Sequence, residues 1–171
     1  MSASIKINTL ESKDIPLIMS ALIDSEWHTP ESYLRGLLEA QEKGEIEFLL
    51  ARYGDTVAGF VYIKWQGEYP PFAEMGIPEI KDLRVLKEFR RQGVATALMD
   101  EAERQIFQRA QAAGIGVGLY ADYGNAQRMY VRRGYIPDGR GLMHNNRPVP
   151  PGIKVVVDDN LLLFFIKRRN K

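Results

Sequence analysis

The sequence has no cysteine among its 171 residues and only two histidines, His28 and His144. Without thiols there is no thiolate metal site, no cysteine nucleophile and no acyl-cysteine intermediate, and the chain reads as cytosolic. The histidines are isolated, with no second ligand at helical spacing, so no metal is expected. Charge of one sign is lacking as well, since 23 Lys and Arg oppose 22 Asp and Glu for a net +1. That balance offers no global pull on nucleic acid or on an anionic membrane, so neither is expected as a partner and any anion site must be local. Long apolar runs are also missing. The longest, Leu161 to Ile166, is far short of the roughly 20 residues that cross a bilayer. Met1-Ser2-Ala3-Ser4 carries neither a hydrophobic signal core nor a myristoylation glycine, and Lys167-Arg168-Arg169 reads as a solvated strand end. No internal repeat or low-complexity tract is found. What is present, 45% apolar and 26% charged residues, suits a single domain over 1–171. A domain of about that size buries roughly 70% of its unfolded surface, and so needs no disulfide or structural metal.

Hydrophobic periodicity divides the chain into alternating elements. Ile5 and Ile7 mark a short strand, and Ile15, Ile18, Met19 and Leu22 a helix with Thr9 or Ser12 as its cap. A second helix runs from Pro30 through Tyr33, Leu34, Leu37 and Leu38 to Gly44. Glu45 to Tyr53 and Thr56 to Trp65 are strands joined by Gly54-Asp55, a dipeptide suited to a tight hairpin. Gly67 to Gly76 reads as a loop and Glu79 to Leu86 as a strand. Val94, Leu98, Ala102, Ile106 and Ala110 recur every four residues, which predicts a long helix that Gly114 ends. Ile115, Val117 and Leu119 alternate with Gly116 and Gly118, a strand whose glycine face would let another backbone come close. A short helix follows around Ala126 to Arg133, then a strand from Tyr135, a loop over Arg147 to Gly152 and a turn at Asp158-Asp159. Leu161 to Ile166, apolar on both faces, is expected as an interior strand despite its position near the C-terminus.

The sharpest chemical signal is the strand, basic turn and helix junction from Val85 to Thr96. A helix N-terminus has unpaired N–H groups and about half a positive charge, so a glycine turn there makes an anion cradle. Gly93 lets a phosphate approach the backbone, Ala95 keeps the next position small, and Arg90 and Arg91 add charge. On these residues alone, a solvated basic helix start explains the pattern equally well. Two other phosphate loops are excluded. No P-loop pattern is present, and Gly114, Gly116 and Gly118 have the wrong spacing and context for a dinucleotide fingerprint.

With these residues in view, the sequence resembles the GNAT superfamily of acyl-CoA-dependent N-acetyltransferases. Arg90-x-x-Gly93-x-Ala95 matches the family's turn signature, and Asp82-Leu83-Arg84-Val85 before it and Ala97-Leu98-Met99 after it are also similar. Ala126-Gln127-Arg128-Met129-Tyr130, followed by Arg133-Gly134-Tyr135, resembles a second family block. The order of elements matches from residue 5 to 167. The resemblance implies a mixed, mostly antiparallel α/β sheet of six to seven strands with about four helices and splayed central strands.

It also implies roles. Backbone N–H groups through Arg91, Gln92, Gly93, Val94, Ala95 and Thr96 would hold the pyrophosphate of acetyl-CoA, with Arg90 opening the signature. Val85 would pair with the pantetheine arm, and the Leu83 N–H would polarise the thioester carbonyl. Tyr130 stands where many members carry the general acid for the departing thiolate, although a tyrosine on an amphipathic helix usually packs in the core. Glu79 stands where some members carry the general base. An alkylamine with a pKa of about 10 must lose a proton before it attacks, and a desolvated carboxylate could take it through a water. Asp82 is the competing base. Three residues apart on a strand, the two would point to opposite faces, and the register favours Glu79. Where many relatives have a cofactor-contacting asparagine this chain has Tyr123, with Asn125 or Asp122 as candidate substitutes.

The expected activity is direct acetyl transfer to a primary amine in a ternary complex, because no cysteine is available for a ping-pong route. The acceptor would be a small molecule or a peptide amine. Trp65, Tyr69 and Phe72 are open between walling an acceptor pocket and packing. The stretch from Arg147 to Asp159 resembles a loop that lies near the acceptor in some small relatives. The alternative is a noncatalytic acyl-CoA-binding or sensing module. Homodimers are common in the family, and the oligomeric state of this chain is open.

Overall fold

The structure, a computed structural model, describes residues 4–23, 25 and 27–169. Met1, Ser2 and Ala3, read above for targeting, lie outside the described residues. In chain order the elements are β1 (Ile5–Thr9), α1 (Ile15–Leu22), α2 (Glu31–Glu42), β2 (Ile46–Tyr53), β3 (Thr56–Lys64) and α3 (Pro70–Met75). They continue with β4 (Glu79–Val85), α4 (Val94–Arg109), β5 (Ala112–Gly118), α5 (Gly124–Arg132), β6 (Ile136–His144), β7 (Arg147–Pro148) and β8 (Leu161–Arg168). The fold is the expected mixed α/β arrangement with a mostly antiparallel, splayed sheet. Two compact units interleave in sequence: Met1–Trp65 with Lys81–Gln105, and Gln66–Ile80 with Ile106–Lys171.

In the first unit, β2 pairs antiparallel with β1 on one side and β3 on the other. The turn between β2 and β3 is the expected one, with Gly54 at φ 63°. The apolar stripes of α1 and α2 (Ile15, Ile18, Leu22, Leu34) join Phe48, Leu50 and Phe60 of the sheet in one core cluster. Each such side chain contributes about 1.5–3 kcal/mol when fully buried. Gly59 of β3 is required by packing, because a Cβ there would lie 2.4 Å from the Arg84 carbonyl oxygen of β4. Neither Thr9 nor Ser12 caps α1. A single 3-10 turn, Ser12–Asp14, leads into it, and the Glu11 N–H donates to the Asp14 carboxylate at 2.9 Å.

In the second unit, β8 lies between β5 and β6 and is antiparallel to both, which is the interior position its two apolar faces demand. Glu79 and Ile80 pair in parallel with Gly114 and Ile115, a ladder confined to two residue pairs. The core here is aromatic: the Tyr69 and Phe164 rings stack at 3.8 Å, and Phe72 meets each edge-on. The glycine face of β5 admits side chains, not a second backbone. A Cβ at Gly114 would strike Phe72, one at Gly116 would strike Phe164, and one at Gly118 would strike the Tyr123 ring.

Three further expectations require correction. Among the described residues there are five α-helices where about four were expected, because Pro70–Met75, read as loop, is α3. Its prolines occupy the first turn, where a missing N–H costs nothing, and Gly76 closes it at φ 62°. Among the described residues there are eight strands, slightly more than the six to seven expected, because Arg147–Pro148 pairs with His144 and Met143 at the sheet edge, where proline is tolerated. Gly114 does not end α4. The helix stops at Arg109 and β5 begins at Ala112, paired with Arg168.

Candidate functional site

The junction after β4 has the backbone of an anion cradle. Arg90 is extended, Arg91 has φ 62° and Gly93 φ 85°, so two left-handed residues turn the chain into α4. A Cβ on Gly93 would meet only the Ile5 side chain at 3.8 Å, so it is the backbone conformation, not crowding, that calls for glycine. The first helical bond runs from the Ala97 N–H to the Gly93 carbonyl at 2.9 Å. The N–H groups of Val94, Ala95 and Thr96 therefore have no acceptor within the helix. Gly93 and Thr96 are exposed while Val94 is buried, which seats the turn on the core.

The flanking side chains are partly engaged. Arg90 Nε donates to the Val85 carbonyl at 3.2 Å, and its guanidinium lies 5.8 Å from the Trp27 ring. Gln92 Nε2 donates to the Glu88 carbonyl at 2.7 Å. Arg91 is exposed at the turn. Leu83 and Val85 are half-buried strand residues.

Between them and Glu79 lies a feature that the sequence did not reveal. Asp82 has φ 57° inside β4, a strain of about 1–3 kcal/mol for a residue other than glycine. The strand alternation that separated Glu79 from Asp82 therefore does not continue through Asp82. Its carboxylate is held from two sides: Arg84 Nε donates to Oδ1 at 2.6 Å and the Tyr33 hydroxyl to Oδ2 at 2.8 Å. Arg84 is itself fixed, donating to Thr29 Oγ1 at 2.6 Å with its guanidinium 5.6 Å from the rings of Trp27 and Phe60. Burial first, and the Asp82 charge second, push the Tyr33 phenol well above its usual range, so it stays a donor. Tyr33 had been legible only as a helix-face residue, and no local pattern marks its partnership with a strand 49 positions away.

In the second unit Glu79 is 4% exposed. Its Oε2 accepts the N–H groups of Glu68 at 2.9 Å and Tyr69 at 3.5 Å, which ties it to the start of α3. Tyr69 and Phe72 are buried in the aromatic stack, which settles their role as packing, whereas Trp65 is half-buried. Tyr69 also donates its hydroxyl to Asp138 at 2.9 Å. Tyr130 sits near the end of α5, buried, with its ring edge-on to Tyr135. Burial alone pushes its phenol well above the ordinary value. Tyr123 packs on Gly118 and donates to Asp159 Oδ1 at 2.9 Å, an acceptor shared with Tyr120. Asn125 and Asp122 are both exposed, Asn125 in the first turn of α5.

A mixed α/β sheet whose fourth strand leads through a glycine turn into a long helix is the arrangement expected above of an acyltransferase. The chain belongs to the Acetyltransferase (GNAT) family, whose sequence profile matches residues 13–135 and so takes in the cradle and all of α5. No curated protein matches it in sequence. Among solved structures it is similar to an N-acetyltransferase from Staphylococcus aureus Mu50, with TM-score 0.71, 14% identity, and coverage of 97% of this chain and 99% of that one. It is also similar to the PaiA N-acetyltransferase of Thermoplasma acidophilum in complex with coenzyme A (TM-score 0.67, 16% identity, 97% and 99% covered). A third is the ribosomal-protein-alanine N-acetyltransferase of Brucella melitensis (TM-score 0.68, 17% identity, 96% and 99% covered). At these identities the likeness is one of fold. Among the described residues no helix is long and apolar enough to cross a membrane.

Proposed function

We propose that the protein is an N-acetyltransferase that carries acetyl from acetyl-CoA directly to a primary amine within a ternary complex. The observation that carries this reading is the turn before α4, where Arg91 and Gly93 both adopt positive φ ahead of three N–H groups that lack helical acceptors. Such donors fit a pyrophosphate. Arg91 through Thr96 bind it through the backbone, Thr96 adds its hydroxyl, and Asn125 stands in for the family's asparagine. Val85 pairs its backbone with the pantetheine arm, and the Leu83 N–H donates to the carbonyl oxygen as negative charge develops there.

Glu79 takes the ammonium proton of the acceptor through a water, which frees the lone pair that attacks the thioester carbon. As the C–S bond breaks, Tyr130 faces the departing sulfur. A thiol of the cysteine type titrates at about 8.5. A phenol raised by burial lies above that, so outright transfer to a thiolate is uphill. Tyr130 therefore acts by donating a hydrogen bond to the sulfur; the attacking nitrogen gives up its second proton to solvent as the amide forms, and the thiolate takes its lasting proton from solvent. The lack of cysteine supports a cytosolic setting.

Two measurements test the reading in order. Acetyl-CoA or CoA should raise the melting temperature, as any ligand selective for the folded state does, and NAD or ATP should not. A panel of acceptors should then show amine-dependent thiol release, with small metabolite amines, antibiotic amines, lysine peptides and free peptide N-termini as its members. Because the protein has no thiol of its own, a thiol reagent reads only released CoA and acetyl-CoA hydrolysis. Stabilisation by NAD or ATP but not by acetyl-CoA overturns the family chemistry. Stabilisation by acetyl-CoA with no amine-dependent release favours a binding module over an enzyme.

A further inference from the structure

A non-glycine residue at φ 57° in the middle of a strand persists only where its surroundings over-determine it. At Asp82 those surroundings are specific side chains. Tyr33 and Arg84 grip opposite oxygens of one carboxylate, and Arg84 is braced in turn by Thr29 and by the faces of Trp27 and Phe60. The Asp82 side chain is 18% exposed and the Arg84 side chain 21%, so little water competes for these bonds. The peptide that joins Asp82 to Leu83 carries the Leu83 N–H, so the direction of that donor follows the backbone conformation of Asp82.

We propose that Tyr33 and Arg84 are positioning residues: by clamping the Asp82 carboxylate they hold its left-handed backbone and so aim the Leu83 N–H at the thioester carbonyl oxygen. This rests on the acetyltransferase reading for what Leu83 does, but not for what the clamp does to the backbone. Asp82 then serves as a fixed anchor and not as the proton acceptor. An oxyanion donor works only when it is preorganised, and a displacement of about 1 Å can cost as much as 10²-fold in rate.

The test joins kinetics with NMR of the intact protein. Tyr33→Phe removes one of the two grips with little change in volume. It should shift the backbone amide and Cα resonances of Asp82 and Leu83, lower kcat about tenfold, and leave KM for acetyl-CoA within about twofold. Asp82→Ala removes both grips along with a residue type that tolerates left-handed backbone, and should lose more. Asp82→Asn removes the charge but keeps an acceptor for Arg84, a hydrogen-bond partner for Tyr33 and an even greater tolerance of positive φ. It should therefore lose severalfold less kcat than Asp82→Ala, with the pH profile unchanged in shape. Unmoved Asp82 and Leu83 resonances in Tyr33→Phe would overturn the clamp. So would an Asp82→Asn variant as impaired as Asp82→Ala with its low-pH limb lost, because the carboxylate would then be a base. Should the wild-type protein release no CoA with any amine, the functional reading fails, while the resonances still decide whether Tyr33 holds the Asp82 backbone.

Discussion

In the proposed mechanism the turn before α4 and the pair Glu79 and Tyr130 do different kinds of work, and the sequence exposes them to different degrees. The turn acts through its backbone. In the proposed mechanism, positive φ at Arg91 and Gly93 and the N–H groups of Val94, Ala95 and Thr96 do the binding, and the glycine is dictated by conformation alone. Glu79 and Tyr130 would act through side-chain atoms whose competence depends on what surrounds them: two backbone N–H groups on one, burial on the other. A backbone site can be read from a spacing of residue types. A side-chain site needs its neighbours.

The largest effect should come from breaking the backbone site. Gly93→Glu forces a side chain into φ 85° and sets a negative charge at the helix N-terminus. It should abolish the melting-temperature shift with CoA and remove measurable transfer, while the melt without ligand shows the fold intact. A retained CoA shift would mean that the anion sits elsewhere.

Next in size is Tyr130→Phe. Loss of a preorganised hydrogen-bond donor to the charge that develops on sulfur costs about 10²-fold or more in kcat, and CoA stabilisation should be unchanged. Because burial holds the phenol above its ordinary value, the wild-type profile should show no loss from Tyr130 ionisation on the approach to pH 10. Joint loss of CoA binding and activity would make Tyr130 a packing residue.

Glu79→Gln should have a smaller and pH-graded effect. We expect kcat/KM to fall about tenfold near neutrality and to recover as pH nears the amine's own pKa, where free amine is already abundant. The change also disturbs the hydrogen bonds to the Glu68 and Tyr69 N–H groups, so a stability loss of about 1 kcal/mol should accompany it. Equal activity loss at every pH would leave Glu79 as an anchor for the start of α3 and remove it from proton transfer.

The smallest effect concerns the fold. Burial raises the phenols of Tyr33, Tyr69, Tyr123 and Tyr130. In the unfolded chain they ionise near pH 10, before their folded counterparts do. Their contribution to stability is therefore complete below that pH and is lost as pH rises beyond it. Denaturant midpoints should fall on going above pH 10, and phenolate absorbance from these four should appear together with unfolding. Phenolate signals well before unfolding would show that these rings are wetter than their burial indicates.

Much of the fold was readable because its signals are local. The hairpin at Gly54, the start of α4 after Gly93 and the two-faced apolar run of β8 each follow from a few adjacent residues. The errors share one cause, which is that a local signal had two solutions. Pro70-Pro71 can begin a helix as well as break one. Ala110 to Gly114 can extend a helix or open a strand, and pairing of Ala112 with Arg168 decided the matter. The glycines of β5 announce a close approach without saying what approaches, and aromatic rings from residues 72, 123 and 164 fill that space.

By itself, the sequence determined the order of the longer elements, the balance of charge, the lack of cysteine and the glycine turn ahead of a helix, since periodicity, composition and backbone permissiveness are properties of neighbouring residues. Only the tertiary structure decided that Asp82 is clamped by Tyr33 and Arg84, that Glu79 is anchored to the start of α3, and that Tyr69 and Phe72 are closed core rather than pocket wall. These depend on contacts between distant parts of the chain, and what a carboxylate or a phenol can do is set by the dielectric and the donors that folding places around it.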